Sequence, residues 1–172
     1  DGLVNVGVVT AQEINQLPEI QEAAERMLIA SFTWHNTTSP ERFAEERDSL
    51  ARVGVVDVTR INQLDSIRQA AKRMLISSLS WHNTISPERF GEERDAFVSL
   101  GVVDLDEINQ LQEIQELARK HLIGSYQWHG SISPEIFERE RDSYIKLGIV
   151  SKDTVDLWLQ ELNTAKAFTS TS

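Results

Sequence analysis

The chain has 172 residues, 40% of them hydrophobic and 26% charged, with a net charge of −10 and no cysteine. That length is enough for a sizeable core, and no stretch approaches the roughly 18 apolar residues that a membrane span needs. The acidity argues against phosphate backbones and anionic lipid as partners. The missing thiols exclude disulfides, thiolate zinc sites, iron–sulfur clusters and thiol nucleophiles.

Before any element is assigned, the chain shows an internal period of 47 residues. Trp34-His35, Trp81-His82 and Trp128-His129 follow it, as do three Ser-Pro-Glu tripeptides at Ser39, Ser86 and Ser133 and the glycines Gly7, Gly54, Gly101 and Gly148. Aligned without a gap, residues 7–53 and 54–100 share 28 identities in 47 positions. Periods of this size mark architectures whose units bury their apolar faces on their neighbours. The expected organisation is a single domain over 1–172, with units 7–53, 54–100 and 101–147 and a partial unit at 148–166.

In chain order, each unit predicts three helices. A short one follows Thr10, Asp57, Asp104 and Ser151, all good N-cap residues, with Glu13 and Glu107 placed for a capping box. Pro18 suits a first-turn position and not a helix interior, so a break falls near residues 17–18. A long helix then runs from about Pro18 to about Trp34. Its face is Ile20, Ala23, Ala24, Met27 and Leu28, spaced by three and four and repeated from Ile67 and Ile114. His121 takes the place of Met27 and Met74 on that face.

The third helix starts at Ser-Pro-Glu, where serine caps, proline fills the first turn and glutamate meets the positive helix end. It stops at the repeat glycine. The valine pairs that follow, such as Val55-Val56, are too short for a sheet and plug the core while the chain turns. After Ser151 an amphipathic helix through Val155, Trp158 and Leu162 covers the end of the last unit, and residues 167–172 form a frayed tail.

The fold class is therefore all-α: tandem helical repeats with a C-terminal capping unit. Their length and three-helix rhythm resemble the armadillo and HEAT class of solenoids, and a compact bundle of pseudo-equivalent units is the other arrangement of the same elements. No residue motif places the chain in a named family.

Three recurring constellations carry the candidate interaction residues. The first is Trp34, His35, Trp81, His82, Trp128 and His129. We read the tryptophans as anchors packed between helices and the histidines as cations closing the long helix; the functional counterpart is an aromatic or metal ligand. One shared metal is excluded by spacing, since equivalent atoms of stacked units lie about 10 Å apart. The second is Glu-Arg-Asp at Arg47, Arg94 and Arg141. Each arginine lies beside the buried stripe, where it needs a partner: a neighbouring unit's carboxylate, or a carbonyl at a helix end. The third is Ile-Asn-Gln-Leu, with Asn15, Asn62 and Asn109. It forms either an internal polar ladder of amides or a row of amides reading an extended peptide.

No glycine-rich phosphate loop, Gly-x-Ser-x-Gly or His-Glu-x-x-His occurs, so no enzyme, catalytic residue, metal or cofactor is expected. The leading expectation is a non-enzymatic scaffold or structural protein that binds a protein partner or assembles end to end with its own kind, without nucleic acid or membrane insertion. The alternative is a small-ligand or pigment-binding protein with one Trp-His pocket per unit. Asn36-Thr37-Thr38 fits the glycosylation pattern, but its equivalents do not. A start at Asp1 without methionine, together with the lack of cysteine, inclines the expectation towards an exported or organelle-targeted mature chain.

Overall fold

The computed structural model describes residues 7–34, 37–81 and 84–170. Ten helices lie among them. In chain order these are α1 (Ala11–Asn15), α2 (Pro18–Ser31), α3 (Pro40–Arg52), α4 (Val58–Gln63), α5 (Asp65–Leu79), α6 (Pro87–Ser99), α7 (Leu105–Asn109), α8 (Gln112–His129), α9 (Pro134–Lys146) and α10 (Lys152–Ser170). The starts of α1, α4, α7 and α10 fall at the 47-residue interval, as do those of α2, α5 and α8 and of α3, α6 and α9. The protein is all-helical apart from two antiparallel pairs of two-residue strands.

Local chemistry accounts for the boundaries. Thr10 and Glu13 close a reciprocal capping box on α1, at 3.1 and 2.8 Å. Asp57 and Ser151 accept from the backbone three residues on, at Arg60 and Thr154. Pro40 and Pro134 fill the first turn of their helices. Ser39 and Ser86 cap with their hydroxyls, but Ser133 makes no such bond. Each third helix ends in one geometry: Gly54, Gly101 and Gly148 have φ of +79°, +78° and +74°. The following amide (Val55, Val102, Ile149) bonds back to the carbonyl of Leu50, Phe97 or Tyr144 at 2.9–3.1 Å. That six-to-one closure is a Schellman motif, and it needs the left-handed conformation glycine adopts without steric cost.

Three expectations are corrected. The long helix does not reach the tryptophan in the first two units: α2 and α5 stop at Ser31 and Leu79, and the chain pairs Thr33 with Thr38 and Ser80 with Ile85. Threonine and isoleucine favour extended backbone there, and the amides of Ser39 and Ser86 close the excursion on the carbonyls of Phe32 and Leu79. In the third unit Gln127, a good helix former, stands at the position of Thr33 and Ser80, and α8 continues through Trp128 to His129. The tail expected to fray from 167 is helical through Ser170, where Thr164 and Thr169 donate back to the carbonyls of Gln160 and Ala165. The first valine pair does not plug a core: Val8 is exposed, whereas Val102, Val103, Ile149 and Val150 are buried.

Packing divides the chain into two compact units, residues 1–78 with 93–104 and residues 79–92 with 105–172. In the first, Phe32 stacks on Phe43 at 4.4 Å and meets Phe97 edge-on at 5.4 Å, all three fully buried. The second is built on Phe90, Ile108, Ile114, Leu122, Phe137 and Tyr144. Burial of each such side chain contributes about 1.5–3 kcal/mol, which outweighs the weak propensity of a helix as short as α7, where Ile108 is fully buried.

Candidate functional site

The arginine and asparagine positions meet in one joint within the first compact unit. Arg47 lies on α3 and is 6% exposed. Its Nη1 donates to Asn62 Oδ1 at 3.0 Å and to the Leu100 carbonyl at 3.1 Å, and its Nε donates to Asp48 at 3.0 Å. Asn62, at the end of α4, donates its amide to the same Leu100 carbonyl at 2.9 Å. Residue 47 belongs to one 47-residue unit, and 62 and 100 to the next. A buried guanidinium is thus held by an amide and by an orphan carbonyl at a helix C-terminus, where partial negative charge gathers.

Asn15 and Asn109 repeat the amide half of this joint, donating to the carbonyls of Val53 and Leu147 at 2.9 and 3.1 Å. The repeat glycine makes room for it. A Cβ on Gly54, Gly101 or Gly148 would lie 3.3, 3.1 or 3.2 Å from the asparagine amide nitrogen. The glycine therefore serves the turn and the amide together. Gly101→Ala is expected to cost about 1–2 kcal/mol for the left-handed backbone alone, and more if the Asn62 amide is pushed aside. Equilibrium urea unfolding checks it, and an unchanged midpoint would contradict this double role.

The amides do not form the mutual ladder that the Ile-Asn-Gln-Leu motif suggested. Gln16, Gln63 and Gln110 are exposed, while the asparagines turn to backbone carbonyls. Sequence reading missed a second bridge. Gln21 donates to the carbonyls of Asn15 and Val55 at 2.5 and 2.7 Å, and Gln115 to those of Asn109 and Ile149 at 2.5 Å. Arg68 stands at the equivalent position and pairs with Asp104 at 3.1 Å. The available signal was the constant Asn-to-Gly spacing, which recurs from Asn15–Gly54 to Asn109–Gly148.

Arg94 is 4% exposed and pairs with Asp95 at 2.9 Å. Arg141 is less covered. Its side chain is 20% exposed, against 7% for Arg47, and it meets Asp142 at 3.0 Å and the Phe137 ring at 5.8 Å.

The Trp-His expectation is corrected where it can be seen. Trp128 is no packed anchor: it is 78% exposed at the end of α8, near an equally exposed Ile132. Extending the helix carries the ring out to solvent. His129 is the last residue of α8, at the helix C-terminus where it was expected. His35 and His82 lie outside the described residues, and Trp34 and Trp81 are described by their backbone pairing alone.

His121, the residue that replaces methionine, is not an inert core substitution. Its Nδ1 lies 2.8 Å from the Tyr144 hydroxyl and its Nε2 3.5 Å from Glu140. Burial raises the Tyr144 phenol well above its usual range, and the charges of Glu140 and Glu88 add to this. Tyr144 therefore stays protonated in the folded chain at pH values where the unfolded chain ionises it. Its contribution is complete below about pH 10 and is lost as pH rises further. Tyr144→Phe is expected to cost about 0.5–1.5 kcal/mol at neutral pH through the lost hydrogen bond. The gap to the parent should narrow between pH 10 and 12 in urea melts, and a gap constant with pH would refute the assignment.

Among the described residues no group of three or more histidines or carboxylates could hold a metal, and no helix is long and apolar enough to cross a membrane. No protein-family model, curated protein or solved structure matches the chain. Fold and site thus define an all-helical protein in which the recurring asparagines close their own 47-residue units and Arg47 joins one unit to the next.

Proposed function

We propose that this chain is a non-enzymatic helical-repeat scaffold. Its units form one domain over 1–172, stack as an armadillo- or HEAT-like solenoid, and offer their surfaces to a protein partner, including their own kind. The observation that carries the reading is the Arg47–Asn62–Leu100 joint. There Arg47, one of three arginines at the 47-residue interval, spends its polarity on joining two units, as a stackable module requires and as a catalytic centre does not. The ligand-binding alternative needs an enclosed ring in each unit, and Trp128 has no such walls.

Small-angle X-ray scattering with light scattering over a concentration series tests this. A compact fold of this length has a radius of gyration of about 16 Å, and a solenoid must exceed it. A monomer at or below that value would sink the solenoid. Saturable uptake of three equivalents of a small aromatic ligand would replace the scaffold reading with the pocket-per-unit one.

A further inference from the structure

The segment that ends the long helix occurs three times and takes two forms. After Ser31 and Ser78 the chain pairs Thr33 with Thr38 and Ser80 with Ile85. The amides of Ser39 and Ser86 then close on the carbonyls of Phe32 and Leu79 at 2.7 and 3.0 Å. After Ser125 the chain stays helical. The Tyr126 carbonyl, equivalent to those of Phe32 and Leu79, accepts from the Gly130 amide at 2.9 Å, and the Ser133 amide turns to the His129 carbonyl at 2.8 Å. Two different amides therefore compete for one carbonyl position.

The helical form leaves unmade what the other form makes. Ser31 and Ser78 donate to the carbonyls of Leu28 and Leu75 at 2.6 and 3.0 Å. Ser125, only 8% exposed, has no hydrogen-bond partner for its hydroxyl among the described residues, and an unsatisfied buried hydroxyl is destabilising. Ser39 and Ser86 cap the next helix, and Ser133 does not. Pro40 and Pro87 are buried, whereas Pro134 is exposed. Trp128 and Ile132 stand in solvent as well.

What holds the helical form is local. Gly130 has φ −56° and ψ −29°, and a Cβ there would lie 2.6 Å from the Tyr126 carbonyl oxygen and 3.0 Å from its ring. Asn36 and Asn83 stand at that position in the other units, so the residue without a Cβ appears only where the helix continues. Gln127 also favours helix more than Thr33 and Ser80 do. The hinge keeps its anchor in both forms. Tyr126 meets Phe137 edge-on at 5.4 Å, as Phe32 stacks on the equivalent Phe43. A change of state is thereby confined to residues 127–133.

We propose that residues 127–133 are a two-state element: the helical end of α8 exchanges with the strand pairing of the other two units, and Gly130 sets the balance. The strand state pairs Gln127 with Ile132 and Trp128 with Ser131. The Tyr126 carbonyl passes from the Gly130 amide to that of Ser133, Ser125 gains the Leu122 carbonyl, and Ser133 caps α9. Trp128 travels with the switch, so a partner that binds its ring better in one state draws the population to that state. The element belongs to this segment alone and does not depend on the scaffold reading.

Backbone NMR of the full chain tests this. In the parent, a strand state populated to about 0.1–10% gives relaxation dispersion at residues 127–133 and none at 114–122. Gly130→Asn, which restores the residue of the other units, makes that state the major one. Its Cα shifts at 127–129 turn from helical to extended, and a cross-strand contact appears between Gln127 and Ile132. Gln127→Thr, which adds no clash, moves the population the same way by about twofold. A flat dispersion profile in the parent overturns the proposal. So does a folded Gly130→Asn chain that stays helical through His129, or one that loses the helix without gaining the cross-strand contact. If Gly130→Asn unfolds the protein, Gln127→Thr decides, and a population there no higher than in the parent overturns the proposal equally.

Discussion

Truncating Phe43 to alanine is expected to cost about 3–5 kcal/mol, the range for emptying a fully buried aromatic position. Phe43 is 0% exposed and lies parallel to Phe32 at 4.4 Å, and Phe32 in turn meets Phe97. The ring joins α3 to the end of α2, and it lies 5.6 Å beneath the Arg47 guanidinium. Its loss opens a cavity and withdraws a wall from the buried arginine. Stacked aromatic pairs add about 0.5–1.5 kcal/mol beyond area, so Phe43→Leu should recover part of the loss but not all of it. Chemical denaturation of the three proteins measures this. A cost for alanine below about 1.5 kcal/mol, less than burial of the ring alone contributes, would mean that the site collapses freely and that this cluster does not hold the first compact unit together.

Asn62→Ala is expected to cost about 2–4 kcal/mol, and Asn15→Ala only about 0.5–1.5 kcal/mol. The two asparagines have the same sequence neighbours and the same bond to a helix-end carbonyl. They differ in that Asn62 also accepts from Arg47, and a hydrogen bond to a charged group contributes about 1.5–3 kcal/mol where a neutral one contributes about 0.5–1.5. Removing Asn62 leaves the guanidinium, 6% exposed, with the Leu100 carbonyl and Asp48 alone. Partly unpaired buried charge is where large losses arise. Urea unfolding of both variants at one pH gives the comparison. Equal losses would show that Arg47 contributes nothing through the amide, and the joint would lose its claim to link successive units.

The period of 47 could be read from the residues, and so could most helix starts. A proline in the first turn with a serine before it acts through its own backbone, so Pro40, Pro87 and Pro134 mark their helices whatever surrounds them. The repeat glycines are legible for the same reason, since only a left-handed residue closes the motif that follows. The end of the long helix was harder to read. Trp34, Trp81 and Trp128 share their histidine neighbour, yet two sit in short strand pairs and one in a helix. The difference turns on a few weak local preferences such as Thr33, Ser80 and Gln127. Differences of tenths of a kcal/mol per residue become decisive only when the surrounding packing leaves both conformations open.

Of the candidate site, the sequence indicated that each arginine needed a partner and that a helix-end carbonyl was one choice. It could not bring Arg47 to Asn62 and Leu100, because their separations of 15 and 53 residues carry no local signal. By itself the sequence determined the helical class, the unit length, the caps and the absence of thiol chemistry, all of which depend on a residue and its near neighbours. Only the tertiary structure decided that the asparagine amide fills the space left by the repeat glycine and that Trp128 faces solvent. Burial and hydrogen-bond partners over tens of residues belong to packing, and identical residues take opposite states when their neighbours differ.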